Sequence, residues 1–252
     1  MCFELDSLPP VPVIRGAGVS HEDVVLEAPD GNRFASFAAV PDEPAEVGVV
    51  ILPDVRGLYR FYEELALRFA ERGIAAVAFD YFGRTAGVSK RDEDFPYMEH
   101  VEQTTPEGIQ ADVAEAISYL RARGCRTIFT VGFCFGGRNS WLAAADQDGL
   151  AGAIGFYGRS GEGRDGSAGP AQRAHEVKAP ILALQAGDDQ NITAKDNVAF
   201  EEALRGAGVE YDLVTYEGAP HSFFDRKQEE FAEASDDAWT RLLAFIERHR
   251  SR

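Results

Sequence analysis

Cysteine is scarce in this sequence: Cys2, Cys125 and Cys134 are the whole set. An odd, widely spaced set does not build a disulfide framework, and no CxxC pair or Cys/His spacing suggests zinc, so no metal site is expected. A reducing cytoplasm is the expected location. Long apolar runs are missing as well. Nothing approaches the ~18 residues that would cross a bilayer, so no membrane partner is expected. Met1 to Pro10 carries acids and prolines where a secretory signal would have a basic start and an apolar core. Basic residues are outnumbered, 25 Lys+Arg against 42 Asp+Glu, for a formal charge of −17, and lysine occurs only at Lys90, Lys178, Lys195 and Lys227. A chain this acidic repels a phosphate backbone, which argues against nucleic acid as a partner. Internal repeats and long linkers are absent too. What remains is ordinary globular composition, 252 residues with 45% hydrophobic side chains. It is expected to form a single domain over residues 1–252, with residues 1–20 as an extended segment.

The pattern along the chain is one of alternation. Residues 22–28 and 33–39 read as two strands around an Asp30-Gly31 turn, an antiparallel hairpin. Short apolar runs follow at Val47–Leu52, Ile74–Phe79, Thr127–Val131, Ala153–Phe156, Ile181–Gln185 and Tyr211–Thr215. Between them, Tyr62, Leu65 and Phe69 share a helical face. Ile109, Val113, Ile117 and Leu120 share another, behind a Thr105 cap and Pro106. A final helix aligns Phe231, Ala234, Ala238, Leu242 and Phe245. Strands alternating with helices predict an α/β fold, a mostly parallel sheet covered on both faces. Gly158–Ala171, rich in Gly, Ser and charge, reads as a surface loop.

Such sheets carry their sites beyond the carboxyl ends of the strands. That rule points to Asp54–Gly57, Asp80–Arg84, Cys134, Tyr157, Asp188–Asp189 and His221. Gly132-Phe133-Cys134-Phe135-Gly136 follows a strand and opens a helix, the form of a nucleophile elbow with Cys in place of Ser. Small residues two before and two after the nucleophile let neighbouring backbone close in. The helix N-terminus favours negative charge on the sulfur or on a developing oxyanion. A cysteine nucleophile needs a base, and the base an orienting acid. Asp188-Asp189 and then His221, in Gly218-Ala219-Pro220-His221-Ser222-Phe223, follow in that order, each after a strand.

From about residue 22 onward the sequence resembles the dienelactone hydrolase family of α/β-hydrolases. The resemblance rests on the cysteine elbow, Gly187-Asp188-Asp189, Pro220-His221-Ser222-Phe223, Pro53-Asp54-Val55-Arg56-Gly57 and Asp80-Tyr81-Phe82-Gly83-Arg84. It implies an α/β-hydrolase fold, no metal, no cofactor and a Cys-His-Asp triad. Cys134 would be the nucleophile and His221 the base. The family's spacing selects Asp189 over Asp188 as the acid. The backbone N–H groups of Phe135 and Val55 would form the oxyanion hole. The implied substrate is a small ester or lactone, bearing a carboxylate in the best-known cases, acted on by a monomer or small homo-oligomer. Two positions depart from the family. Asp54 stands where a glutamate would contact the thiol. Of the arginines that hold the substrate carboxylate, Arg84 matches one, while Asp225 occupies the place of the other with Arg226 beside it. Arg56 and Tyr157 complete the candidate substrate contacts.

Three other readings compete. A broader carboxylesterase or thioesterase would use the same chemistry. A glutamine amidase built on the same elbow would place its acid two residues beyond the histidine, where this chain has Phe223. A non-catalytic binding protein would be expected to lose a triad member, and none is lost here.

Overall fold

The structure, a computed structural model, describes residues 3–92, 94–163 and 165–251. Cys2 lies outside them. Strands β1 (Val19–Glu27) and β2 (Arg33–Pro41) pair antiparallel across the Asp30-Gly31 turn, where Gly31 takes the left-handed conformation at φ 83°. Both strands are longer than the pattern predicts because Val19 still pairs with Pro41. The chain continues through β3 (Val47–Leu52), α1 (Arg60–Ala70), β4 (Ala75–Phe79), α2 (Gly83–Ala86), α3 (Tyr97–Val101) and α4 (Pro106–Ala122). Then come β5 (Thr127–Phe133), α5 (Phe135–Asp146), β6 (Leu150–Phe156), β7 (Ile181–Asp188), α6 (Ala194–Ala207), β8 (Tyr211–Pro220) and α7 (Ala232–His249).

The strands form one sheet in the order β1-β2-β4-β3-β5-β6-β7-β8, parallel from β4 to β8 and antiparallel only at the β1–β2–β4 end. Alternate residues of β3 face opposite cores. Val49 and Ile51 pack with Leu65 and Phe69 of α1 and with Leu242 and Phe245 of α7. Val50 and Leu52 pack with Val113 of α4, Trp141 of α5 and Phe200 of α6. Burial on both faces explains why the central strands read as unbroken apolar runs. Thr105 caps α4 by accepting from the Gly108 N–H at 3.1 Å, with Pro106 at the first helical position. Helix α6 has no strong apolar periodicity. It is set instead by a capping box in which Thr193 and Asp196 satisfy each other's N–H groups at 3.3 and 2.8 Å.

The amino-terminal segment is packed rather than loose. Phe3 stacks on Phe61 with ring centroids 4.0 Å apart, and Val11 is buried. The Ser7 hydroxyl donates to Asp225 Oδ2 at 2.6 Å. Among the described residues, no helix is long and apolar enough to cross a membrane.

Candidate active site

Strand β5 runs straight into the turn that carries Cys134. There the backbone adopts φ 56° and ψ −111°, and α5 begins at the next residue. A non-glycine residue in that region is strained by about 1–3 kcal/mol, which the surroundings must offset. The offset is visible in the flanking glycines. A Cβ on Gly132 would lie 1.9 Å from the Gly136 carbonyl oxygen, and one on Gly136 would lie 2.0 Å from that of Leu52. The Cys134 N–H donates to Phe156 O at 3.0 Å, and its carbonyl accepts the Arg138 N–H at 3.2 Å. The turn thus holds the side chain above the sheet at a helix N-terminus, where the first amides have no partner within the helix.

Both other strand ends converge on that point. Strand β7 delivers Asp189 and strand β8 delivers His221, because each runs several residues past its predicted end. His221 Nδ1 lies 2.5 Å from Asp189 Oδ2. A carboxylate can only accept, so Nδ1 carries the proton and Nε2 is left as the basic nitrogen. Asp189 Oδ1 accepts the N–H groups of Asn191 and Ile192 at 2.8 and 3.2 Å. Burial pushes the Asp189 carboxyl up, but His221 and these two amides outweigh it and hold it below the usual carboxylate range. Asp188, by contrast, is exposed, and its carboxylate accepts the Gln190 side-chain amide at 3.3 Å.

Cys134, His221, Tyr157, Phe135 and Val55 all line one cavity of about 660 Å³. Tyr157, itself at φ 37° and fully buried, places its ring 4.9 Å from the His221 imidazole. No protein acceptor is found among the described residues for the N–H groups of Val55 and Phe135, the pair expected to receive an oxyanion.

The four remaining candidates, Asp54, Arg56, Arg84 and Arg226, lie outside the lining of this cavity. Asp54 is fully buried and faces its own loop: Oδ1 accepts the Arg56 N–H at 2.9 Å, and Oδ2 accepts the Tyr59 hydroxyl at 3.1 Å. Arg56 turns back onto that carboxylate, 3.0 Å from Oδ2, and onto the Tyr59 hydroxyl and ring. Arg84 is held between Asp112 at 2.6 Å and Asp30 at 2.8 Å. Arg226 is exposed, and its N–H is tied to Leu8 O at 3.0 Å.

Other charged side chains line the cavity. Arg138, one helical turn beyond Cys134, and Arg159 both line the cavity. So do Gly163, Asp165 and Ser167, which makes the predicted surface loop part of the wall. An apolar wall comes from Tyr97, Met98, Val101 and Ile109 on α3 and α4. Arg138 was accessible to sequence reasoning through its spacing from the nucleophile. Arg159 and the α3 residues carried no comparable signal.

The sequence profile of the Dienelactone hydrolase family matches residues 34–250. The chain belongs to the dienelactone hydrolase family. As a member it is a hydrolase enzyme with the α/β-hydrolase fold. An assigned carboxymethylenebutenolidase of Methylorubrum extorquens is 30% identical over 212 residues, spanning 79% of this chain and 72% of its own length. Another, from Saccharolobus solfataricus, is 27% identical over 87% of this dienelactone hydrolase-family chain and 95% of the relative. The crystal structure described as a dienelactone hydrolase of Klebsiella pneumoniae superposes with a TM-score of 0.81 at 24% identity, covering 91% of this chain and 98% of the other.

Proposed function

We propose that this family member cleaves a small ester or lactone through an acyl-thioenzyme formed on Cys134. The observation that carries the reading is the convergence of three strand ends. A strained Cys134 at a helix N-terminus shares one cavity with His221, and Asp189 holds His221 at 2.5 Å. In the first half-reaction the sulfur attacks the carbonyl carbon, and the thiol proton passes to His221 Nε2. The N–H groups of Val55 and Phe135 receive the carbonyl oxygen as it becomes negative. Collapse of the tetrahedral species breaks the carbon–oxygen bond, and His221 returns the proton to the leaving alkoxide. Water, deprotonated by the same nitrogen, then attacks the thioester and frees the acid and the sulfur. A cavity of this size also supports the broader carboxylesterase or thioesterase reading, since a compact lactone leaves much of it unfilled.

The test is p-nitrophenyl acetate hydrolysis by wild type and Cys134→Ala, combined with mass spectrometry of the acid-quenched protein. A burst of nitrophenolate and an acyl adduct on Cys134 are expected in the wild type, with neither in the variant. Retention of most activity by Cys134→Ala refutes the mechanism.

A further inference from the structure

We propose that Asp54 is a positioning residue whose carboxylate fixes the turn that aims the Val55 N–H at the developing oxyanion, serving the substrate's oxygen rather than the sulfur of Cys134. This reading rests on the hydrolysis at Cys134 set out above.

Val55 is the second residue of a turn over 54–57, closed by the Gly57 N–H donating to Asp54 O at 3.1 Å. That carbonyl and the Val55 N–H belong to the same peptide unit. In a trans peptide the two point in opposite directions, so holding the carbonyl on Gly57 turns the Val55 N–H out of the turn. Val55 lines the cavity together with Cys134. If this peptide rotated, it would present an oxygen where the reaction needs a donor, and repel the charge it should receive.

Asp54 resists that rotation from both ends of the residue. Its own N–H donates to the Tyr62 hydroxyl at 2.8 Å. Its Oδ1 accepts the N–H of Arg56, two residues on, at 2.9 Å, a side-chain turn laid over the backbone turn. The rest of the carboxylate is committed to side chains. Arg56 Nε reaches Oδ1 at 3.3 Å, while Arg56 Nη2 and the Tyr59 hydroxyl donate to Oδ2 at 3.0 and 3.1 Å. A carboxylate has about four lone-pair sites, so these four donors fill it and leave nothing for a thiol. Burial alone would weaken the Arg56 charge, but Asp54 outweighs it, so the ion pair holds. Gly57, at φ 81°, leaves the turn where a Cβ would lie 2.3 Å from Asp80 Oδ1. The turn is therefore clamped on the side away from the cavity, and only its Val55 corner faces the reaction.

Two rate constants separate a group that aims an oxyanion donor from one that tunes the thiol. The first is kcat/KM for p-nitrophenyl acetate, whose acylation step builds a tetrahedral oxyanion. The second is the rate of alkylation of Cys134 by iodoacetamide, followed by mass spectrometry across pH. That displacement needs the thiolate but forms no oxyanion. Asp54→Asn removes the charge that holds Arg56. Asp54→Glu keeps the charge and gains reach towards the sulfur, but its extra methylene cannot close the two-residue turn in the same way. Both variants should lower kcat/KM about ten- to hundredfold, short of the roughly 10²–10³ seen when a donor is lost outright. Alkylation of Cys134 and its pH midpoint should stay as in the wild type. A parallel fall in both rate constants, or a gain in both for Asp54→Glu, overturns the proposal, because the carboxylate then acts on the sulfur. An unchanged kcat/KM in both variants overturns it as well. If neither variant folds, Tyr59→Phe, which removes one donor to Oδ2, should show the same divergence at several-fold, and no divergence there refutes the role. Ester hydrolysis that survives Cys134→Ala defeats the mechanism itself, a result separate from any comparison of the two rates.

Discussion

Replacing Arg84 with Met should damage the fold rather than substrate binding. Arg84 bridges Asp112, whose side chain is fully buried, and Asp30 at the surface. Among the described residues the only other side-chain donor to Asp112 is the Asn32 amide, at 2.9 Å. Removing the guanidinium therefore strands a buried carboxylate. Breaking a buried pair this way costs about 3–5 kcal/mol, but Arg84 is 28% exposed and water screens part of the interaction, so roughly 2 kcal/mol is expected. For a chain of this length that corresponds to a Tm lower by roughly 4–8 °C. The pH dependence carries a definite sign. Burial already pushes the Asp112 carboxyl up, and Arg84 is the strongest influence holding it down. Without Arg84 the folded-state value rises further above that of the unfolded chain. The penalty is then fully present at neutral pH and shrinks as pH falls through that raised value, because the acid protonates and its charge is lost. Thermal melts of wild type and variant at pH 7.5 and pH 5 read both effects. Asp112→Asn should cost less, since it leaves Arg84 its surface partner, and adding it to Arg84→Met should recover part of the loss. An Arg84→Met protein that melts within a degree of wild type, and loses only anionic esters, would show that this arginine reaches the substrate after all.

Two further predictions concern the elbow and the acid. Gly136→Ala should prevent folding or lower Tm by more than 10 °C, because its Cβ would sit 2.0 Å from a backbone oxygen that cannot move away cheaply; a near-native melt would mean that the elbow relaxes. Asp189→Asn should lower kcat for p-nitrophenyl acetate by roughly two to four orders of magnitude through loss of the imidazole's orientation. Asp188→Asn should keep most of the rate, and reversal of the two results would shift the acid by one position.

What could be read from the chain alone depended on how local the cause was. The Thr105 cap and the Asp30-Gly31 turn act within a few residues, and each appears where its local pattern placed it; so do the glycines around Cys134, although Gly136 answers to the Leu52 carbonyl on a neighbouring strand. The strands were found because burial on both faces left continuous apolar runs. Helix α6 was not, because its buried face is reduced to Asn197, Phe200 and Leu204. The ion pairs of the arginines were not legible for a related reason. A guanidinium follows whichever carboxylate the fold brings near, and for Arg84 those carboxylates are 54 and 28 residues away. Asp54 has a more local cause: its carboxylate closes a turn on the Arg56 N–H two residues on.

The packed amino terminus bears on how the protein can be handled. Phe3 touches Phe133, the residue before the nucleophile, and Tyr157, the neighbour of His221. Ser7 and Leu8 are bonded to Asp225 and Arg226, only a few residues beyond His221. Phe3, Ser7 and Leu8 therefore brace, from behind, the strand ends that carry the nucleophile and the base. The partners of this segment are spread from Phe61 to Arg226, so it is fully braced only once most of the chain is in place. A trim that removes Phe3 and Ser7 would loosen the footing of the nucleophile and the base together.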